Sequence, residues 1–411
     1  MGPLILTMLM ACEDETGSNA PILDDSAAPS DDVVSPAEPD ETLPEWAIYI
    51  FMNGDNDLES YVFYDLNELE AVGSSESVHV VVQADRSEEY WTGAGNWTDT
   101  RRYYITQDDN TNQVTSEMVM SVGEADMGSA TDLSDFLIWA YDEYPAQKVA
   151  VIFWNHGEAW SKGPPPPYIS WDEGSGNVLS FAQGDVYDGL QPLVERHGPI
   201  DLVGFDACYM GSWEVAHSLS TQALYMTGAE TVVGMDGYLY PFILNAINDN
   251  PSMSTASLAA IFAESAGRVN AEWTHGAYDL SKIPQLDQAI NQVSDAFLTH
   301  PEWTNAFQAL RAASAAADSS YHDYFLDLGD FGVQLKGSEY AELSAAGQAI
   351  EDGLSELIMV NYNNSPFDDI QGLTIFADTS GQWSEGYSDG AGATWAENTR
   401  WDDWIRTLEP E

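Results

Sequence analysis

Two polar residues in this chain follow apolar runs in a pattern that would allow covalent catalysis. His156 comes directly after the run 148–155, and Cys208 comes directly after the run 201–207. Short, largely apolar and β-favouring runs of this kind predict strands that are buried on both faces of a sheet. If the two strands are parallel neighbours, their ends meet at one edge of the sheet, where α/β folds place their chemistry. The spacing therefore predicts that Cys208 and His156 form a nucleophile and base pair.

The surroundings of Cys208 leave two interpretations open. Residues 212–221 have a helical pattern, and a helix N-terminus near the thiol would favour a thiolate. In the purely structural alternative, His156 ends a strand and Cys208 is a small buried side chain, because both residue types are common in cores. The chain has 2 cysteines, and Cys12 and Cys208 lie in such different contexts that we expect no disulfide.

Strand-like runs and helical patterns alternate along most of the chain. Apolar runs predict strands at 46–52, 78–85, 101–105, 148–155, 201–207, 224–230 and 369–376. Helical spacing predicts helices at 58–72, 132–144, 184–196 and 212–221, and a mainly helical part at 255–360. This alternation predicts an α/β fold with a mostly parallel central sheet flanked by helices.

The first 44 residues differ in composition from the rest. Residues 1–12 hold a short apolar run that ends at Cys12 and resembles the lipobox of a lipoprotein signal, although a basic n-region is missing. Residues 13–44 are rich in Asp, Glu, Ser, Ala and Pro, which predicts a disordered acidic tether. We therefore expect a lipidated Cys12, a folded domain at 45–411, and a bacterial cell-envelope lipoprotein or a secreted protein.

The charge of the chain excludes some classes of partner. Its 411 residues include 68 Asp plus Glu against 12 Lys plus Arg, a formal net charge of −56. No basic patch is available to neutralise phosphates, so we expect no nucleic acid partner. The negative field would attract cationic ligands, or it would simply keep the protein soluble in a salty environment. We expect a monomer that meets a membrane through the lipid on Cys12 alone.

Four segments of the chain carry motifs of one known family. They are Trp46–Leu58 with Asp55-Asn56-Asp57, Trp154–Gly157 with Ala159-Trp160, Asp206–Gly211 with its Cys208, and Gly372–Phe376. Together they resemble the clostripain family of cysteine peptidases, which are relatives of caspases, gingipains and legumains. The resemblance implies a caspase-like α/β sandwich and an endopeptidase that cleaves protein or peptide substrates after Arg or Lys. It also implies a Cys-His dyad with no required cofactor, and leaves calcium binding open because some relatives depend on calcium.

The proposed roles agree with the chemistry of the residues. Cys208 would attack the scissile carbonyl as a thiolate, and His156 would hold the proton and pass it to the leaving amine. The backbone N–H groups of Gly157 and Cys208 are the expected oxyanion donors. Gly157 suits this role because a glycine lets the backbone approach the substrate closely.

Carboxylates near the thiol would select a basic side chain. Asp206 lies two residues before Cys208, so on a strand it faces the same side, and the resemblance places a pocket acid at Asp236. Two acids at a pocket floor would pair with a guanidinium or an ammonium group. Glu230 is a weaker third candidate. In the structural alternative, Asp206 and Asp236 are ordinary strand-end and turn residues.

Members of the family can be activated by a cut between the His and Cys strands. In this interval the chain has the basic residues Lys162 and Arg196. Lys162 precedes a run of four prolines, and its surroundings are more loop-like than those of Arg196. We therefore predict self-processing after Lys162, with an ordinary surface lysine as the alternative.

Two other functions fit the same chain. Strand-end acids and a histidine could form a metal cluster, which would make the protein a metal-dependent hydrolase or a phosphate-binding module. No His-Glu-x-x-His motif supports that interpretation. In the other alternative, the protein is a cell-surface binding protein whose peptidase fold no longer catalyses. The residues of the hypothetical metal cluster are Asp55, Asp57, Asp85, His156 and Asp172.

Overall fold

The fold is built around one large sheet. The computed structural model describes residues 42–159, 168–269, 274–314, 316–318, 322–363, 370–378 and 386–408. Within them, nine strands form one sheet. Their order across the sheet is β14 (Ile358–Asn363), β11 (Thr274–Asp279), β10 (Ala223–Gly228), β9 (Ile200–Asp206), β5 (Lys148–Trp154), β1 (Trp46–Gly54), β2 (Val78–Arg86), β3 (Thr100–Tyr104) and β4 (Met118–Gly123). The strands from β10 to β2 in this order pair in parallel, and the outer strands on both sides are antiparallel. This confirms the predicted mostly parallel α/β sheet.

The elements follow in chain order. The strands are β1 (Trp46–Gly54), β2 (Val78–Arg86), β3 (Thr100–Tyr104), β4 (Met118–Gly123), β5 (Lys148–Trp154), β6 (Gly157–Glu158), β7 (Tyr168–Asp172), β8 (Asn177–Ser180), β9 (Ile200–Asp206), β10 (Ala223–Gly228), β11 (Thr274–Asp279), β12 (Ala316–Asp318), β13 (His322–Asp327), β14 (Ile358–Asn363) and β15 (Thr374–Phe376). The helices are α1 (Glu59–Glu70), α2 (Ala130–Glu143), α3 (Asp185–His197), α4 (Trp213–Leu219), α5 (Tyr240–Asp249), α6 (Thr255–Val269), α7 (Ile283–Thr299), α8 (Thr304–Ala313), α9 (Leu328–Lys336), α10 (Ala341–Leu357), α11 (Thr394–Asn398) and α12 (Trp401–Arg406).

Both faces of the sheet are covered, and this explains the continuous apolar runs of the central strands. In β1, Tyr49 and Phe51 belong to one buried cluster, whereas Ile48 and Ile50 belong to the cluster on the other face. The first cluster includes apolar residues of α2, α3 and α4, and the second includes those of α1, α5 and α6. Since successive side chains point to opposite faces, a strand between two helix layers must be apolar at every position.

The order of the parallel strands brings the predicted site together. β5 and β9 are neighbours, with Trp154 opposite Asp206 in the register, so the chain leaves both strands at the same edge. β1 lies on the other side of β5, with Met52 opposite Trp154. A small antiparallel sheet of β6, β7 and β8 lies beyond this edge and continues directly from His156.

The structure departs from the predictions in the last third of the chain. The predicted strand 369–376 is shorter, since β15 begins at Thr374, and it pairs with β13 in a small sheet instead of the main one. The described residues of the part 255–360 form five α-helices, but also β11 and the start of β14, which extend the main sheet, and β12 and β13 of a small sheet. Apolar periodicity did not indicate β11, because its sequence, Thr-His-Gly-Ala-Tyr-Asp, is polar at several positions and buried by its neighbours. No helix among the described residues is long and apolar enough to cross a bilayer.

Candidate active site

His156 and Cys208 line one cavity at the carboxyl edge of the sheet. The cavity holds about 510 Å³ of unoccupied space, its open mouth included, which is room for a substrate side chain. Tyr61 of α1 and the loop after β10 complete its wall. His156 and Cys208 therefore border the same space, at the edge of the sheet where β5 and β9 end. The other residues that line the cavity are Leu58, Trp154, Asn155, Asp206, Ala207, Val233, Gly234, Met235 and Gly237.

The turns that carry the two residues touch each other. A Cβ placed on Gly157 would lie 2.7 Å from the carbonyl oxygen of Cys208 and 2.9 Å from Cβ of Ala207. No side chain fits in that space, so a residue larger than glycine would push the histidine turn away from the cysteine turn. On the cysteine side, Tyr209 has φ of 60°, an uncommon conformation for a residue with a side chain. Such conformations concentrate at functional sites.

The sulfur of Cys208 is held by the loop after β10. The backbone N–H of Val233 donates a hydrogen bond to Sγ at 3.3 Å. Burial raises the pKa of the Cys208 thiol, the carboxylates of Asp206 and Glu158 raise it further, and the N–H of Val233 acts in the opposite direction. The expectation of a thiolate favoured by a helix is therefore wrong for this site. The helix α4 begins at Trp213 with Ser212 as its N-cap, and the turn 209–211 separates it from the sulfur.

Three buried asparagines fix the ends of β1 and β5. The side-chain amides of Asn53 and Asn56 donate to the carbonyl oxygen of Trp171, at 3.0 and 2.8 Å. Asn155 accepts the backbone N–H of Trp171 at 3.0 Å and donates to the carbonyl oxygen of Asn53. All three asparagines are almost fully buried. Buried amide hydrogen bonds are costly to break, so this network holds the segments on either side of the histidine in one arrangement.

The imidazole of His156 is paired with Asp57. The distance between Nε2 of His156 and Oδ1 of Asp57 is 2.7 Å. Asp57 follows β1 and His156 follows β5, which explains how residues far apart in sequence meet. The sequence contained a signal for this contact, since both residues stand just beyond the ends of strands. The sequence pattern alone places Asp57 in the hypothetical metal cluster instead.

Asp206 lies at the wall of the cavity and is almost fully buried. Its Oδ2 accepts hydrogen bonds from the backbone N–H of Tyr238 at 3.1 Å and from the hydroxyl of Tyr240 at 2.9 Å. Burial raises the pKa of Asp206 to about 6, although both hydrogen bonds favour the charged form. Gly237 has φ of 50°, and a Cβ there would lie 2.5 Å from Oδ1 of Asp206. The loop can close over the carboxylate because this residue is a glycine.

Two further carboxylates of α1 belong to the same electrostatic cluster. Oδ2 of Asp65 accepts the indole N–H of Trp154 at 2.5 Å, and Asp65 is almost fully buried. Burial raises the pKa of Asp65 well above its usual range, and the carboxylate of Asp206 raises it further. Burial, followed by the charge of Asp206, raises the pKa of Glu68 to about 7. For Asp65 the sequence contains a signal of burial, because this acid lies on the apolar face of an amphipathic helix, between Val62 and Leu69.

The other predicted site residues lie in different surroundings. Asp236 is exposed, and its neighbours Met235 and Gly237 line the cavity. Its carboxylate contributes to the raised pKa of Glu68. Glu230 is buried, and its pKa is raised well above its usual range by burial and by the charge of Asp327. Among the residues that the structure describes, those that line the cavity do not include Glu230. Lys162 and Cys12 lie outside the described residues.

Three acids of the hypothetical metal cluster accept hydrogen bonds from different backbone N–H groups. Asp55 accepts the backbone N–H of Gly174, and Asp172 accepts those of Met127 and Ser175. Asp85 accepts the backbone N–H of Arg86. In the described parts of the chain, no group of three or more acidic, His or Cys side chains has the arrangement needed to hold a metal ion.

Comparison with known sequences identifies related proteins. The sequence model of the clostripain family matches residues 50–407. Clostripain from Hathewaya histolytica is 24% identical over 322 residues, which are 67% of this chain and 60% of that protein. The chain therefore spans less than two thirds of the length of this relative.

Solved structures with the same fold come from Bacteroides and Parabacteroides species. A secreted C11 cysteine protease from Bacteroides thetaiotaomicron, solved with an irreversible peptide inhibitor, has a TM-score of 0.66 at 18% identity and covers 87% of this chain and 100% of its own. An inactive zymogen C11 protease from Parabacteroides distasonis has a TM-score of 0.57 at 15% identity, with 89% and 98% covered. At these identities the likeness establishes the shared fold.

Proposed function

The chain belongs to the clostripain family, and from this we propose that it is a cysteine endopeptidase that cleaves protein or peptide substrates after Arg or Lys. The observation that carries the proposal is the shared cavity of Cys208 and His156, with the buried carboxylate of Asp206 in its wall. A nucleophile, a base and a counter-charge for a basic side chain then lie around one space of suitable size.

The reaction would follow the chemistry of acyl transfer. The proton of the Cys208 thiol passes to His156 while the sulfur attacks the scissile carbonyl carbon. The backbone N–H groups of Gly157 and Cys208 stabilise the oxyanion, and His156 protonates the leaving amine. Water then attacks the thioester, gives its proton to His156 and releases the acid, and the proton returns to the sulfur. Because burial raises the pKa of Cys208, the resting enzyme would hold a thiol that is deprotonated during attack.

The acids around the cavity support a preference for basic side chains. Asp206 is next to the cavity, and the charges of Asp206 and Asp236 act on the nearby carboxyl groups of Asp65 and Glu68. Ionised carboxylates in a partly desolvated pocket bind a guanidinium or ammonium group more strongly than a neutral side chain. A comparison of Arg and Lys reporters measures which of the two side chains the cavity prefers.

The test is hydrolysis of peptide reporters by the purified chain. We expect cleavage of reporters with Arg or Lys before the cleaved bond, and loss of cleavage in Cys208→Ala. Cys12→Ser is the matched control, because it removes the other cysteine and should retain activity. Iodoacetamide should inactivate the enzyme, whereas a chelator should not, since the proposed chemistry uses side chains alone. Full activity of Cys208→Ala would overturn the proposal.

We also propose that the protein is released or held outside the cell, as a secreted enzyme or through a lipid on Cys12. The resemblance of residues 9–12 to a lipobox supports this. The structural relative from Bacteroides thetaiotaomicron is itself described as secreted. Mass spectrometry of the mature protein would detect a diacylglyceryl group on Cys12, and an unmodified Cys12 within a longer N-terminal peptide would contradict the lipid anchor.

A further inference from the structure

The contact between Asp57 and His156 is short, although both side chains are partly exposed. Nε2 of His156 and Oδ1 of Asp57 lie 2.7 Å apart, while the side chains are 32% and 58% exposed. Exposed ion pairs contribute little to stability, so the fold has little need of this carboxylate. Its position beside a residue that lines the cavity suggests a different use.

The backbone that carries Asp57 is held firmly although its side chain reaches solvent. Asn56, directly before it, donates to the carbonyl oxygen of Trp171 and accepts the backbone N–H of Leu58. Asn155, directly before His156, bonds to the N–H of the same Trp171. Both segments are therefore tied to one residue of β7. The carboxylate and the imidazole are kept in register by buried hydrogen bonds, and not by their own contact alone.

The identity of the bonded nitrogen decides what the contact can do. A carboxylate accepts hydrogen bonds, so Nε2 of His156 is assigned as the protonated nitrogen. The other nitrogen, Nδ1, is then left with its lone pair and is the one that can accept a proton from the thiol of Cys208. When His156 becomes an imidazolium, the charge of Asp57 stabilises it.

We propose that Asp57 is a positioning residue for His156, so that catalysis uses a triad of Cys208, His156 and Asp57 instead of a dyad. This inference rests on the proposed peptidase function. During the reaction the proton of the Cys208 thiol moves to Nδ1 of His156 and from there to the leaving amine. The proton on Nε2 stays bonded to the ring throughout. The Nε2–H group donates a hydrogen bond to Asp57, which remains ionised.

The test compares Asp57→Asn and Asp57→Glu with the wild-type chain. We expect Asp57→Asn to lower kcat by about tenfold to hundredfold, a part of the usual contribution of acid–base catalysis, with KM changed by less than about threefold. The melting temperature should stay unchanged, and Asp57→Glu should restore part of kcat because it keeps the carboxylate. Glu302→Gln is the matched control, because Glu302 contacts His300 at 3.1 Å with side-chain exposures of 31% for His300 and 65% for Glu302. Glu302→Gln should leave kcat, KM and the melting temperature unchanged.

Two readouts do not depend on a substrate. In a Cys12→Ser background, alkylation of Cys208 by iodoacetamide should be slower in Asp57→Asn than in its parent, because the base is less well oriented. In ¹⁵N-histidine spectra, assigned with His156→Gln, the wild-type His156 should carry its proton on Nε2, and Asp57→Asn should shift the ring toward a tautomer mixture.

The outcomes separate the two hypotheses. A wild-type chain that cleaves no reporter would contradict the peptidase function, while slower alkylation and the tautomer shift in Asp57→Asn would still support the positioning role. If kcat of Asp57→Asn is within twofold of wild type, and its alkylation rate and tautomer are unchanged, Asp57 does not position His156. Should Asp57→Asn fold poorly, Asp57→Glu and Asp57→Ser are judged by the same readouts.

Discussion

Gly157 and Cys208 are in direct backbone contact. The position that a Cβ would take on Gly157 lies 2.7 Å from the carbonyl oxygen of Cys208, which is closer than real Cβ atoms approach an oxygen. The residue after the proposed base, Gly157, thus packs against the backbone of the proposed nucleophile, Cys208. Through this contact, the geometry of the site depends on the absence of one methyl group.

Gly157→Ala should therefore reduce activity strongly. The added methyl group has to push the two turns apart at a cost of about 1–3 kcal/mol, and a displacement of about 1 Å at a catalytic group can lower the rate by about a hundredfold. The measurement is kcat/KM on an Arg reporter, together with the melting temperature. Gly337→Ala is the control, since its nearest neighbouring atom would lie at 3.5 Å. Equal activity of Gly157→Ala and wild type would show that the turns have room to separate.

Asp206→Asn should weaken recognition of basic side chains. Loss of a charged hydrogen-bonding partner costs about 1.5–3 kcal/mol, so kcat/KM for an Arg reporter should fall by about tenfold to hundredfold. A citrulline reporter has nearly the same shape without the charge, and its kcat/KM should change much less. Glu230→Gln alters a buried carboxylate beside Asp327 and should leave the ratio of the two reporters unchanged. A ratio that stays constant in Asp206→Asn would place the counter-charge elsewhere.

The preference for Arg over citrulline should increase with pH. Burial raises the pKa of Asp206 to about 6, and burial together with the charge of Asp206 raises that of Glu68 to about 7. Between pH 5 and pH 8 both groups lose their protons, and the cavity becomes more negative. Taking the ratio of kcat/KM for the two reporters cancels the ionisation of Cys208 and His156. In Glu68→Gln the part of the rise near pH 7 should disappear, and a ratio independent of pH would contradict the assignment.

The same substitution should change stability in a pH-dependent manner. The folded-state pKa of Glu68 is raised above its usual value, so the fold binds this proton more tightly than the unfolded chain does. The stability linked to that proton is present at low pH and is lost as the pH rises through about 7. Glu68→Gln should therefore raise the melting temperature at pH 8 and leave it nearly unchanged at pH 4. A lower melting temperature at pH 8 would mean that ionised Glu68 is stabilising.

Self-processing should depend on Lys162 and not on Arg196. Arg196 lies in the last turn of α3 and is paired with Asp142, and a helical backbone has to unfold before it can enter an active site. We expect incubation of the purified chain to produce two fragments, Lys162→Gln to prevent the cut, and Arg196→Gln to leave it unchanged. Gel electrophoresis and N-terminal sequencing of the fragments measure this. An intact, fully active wild-type chain would rule out a requirement for the cut.

The sequence determined the five parallel strands of the sheet centre, the sheet type, and the position of Cys208 and His156 after two neighbouring strands. These features are local, because an apolar run that ends in a polar residue marks a buried strand and its edge, and parallel neighbours place such ends together. The same local argument placed Asp206 on the side of the thiol. It was sufficient to propose the nucleophile, the base and one pocket acid before any contact was known.

The tertiary structure decided which acids belong to the site. Asp57 contacts His156. The charge of Asp206 acts on Asp65 and Glu68 of another element, and Glu230 is buried beside Asp327. The direction of the pKa shift of Cys208 was also wrong in the sequence-based prediction, because burial outweighs a helix that starts too late to face the sulfur. Contacts between distant segments and the degree of desolvation arise from the packing of whole layers. No short pattern of residues encodes them, and only the folded chain brings these charges to their final distances and dielectric surroundings.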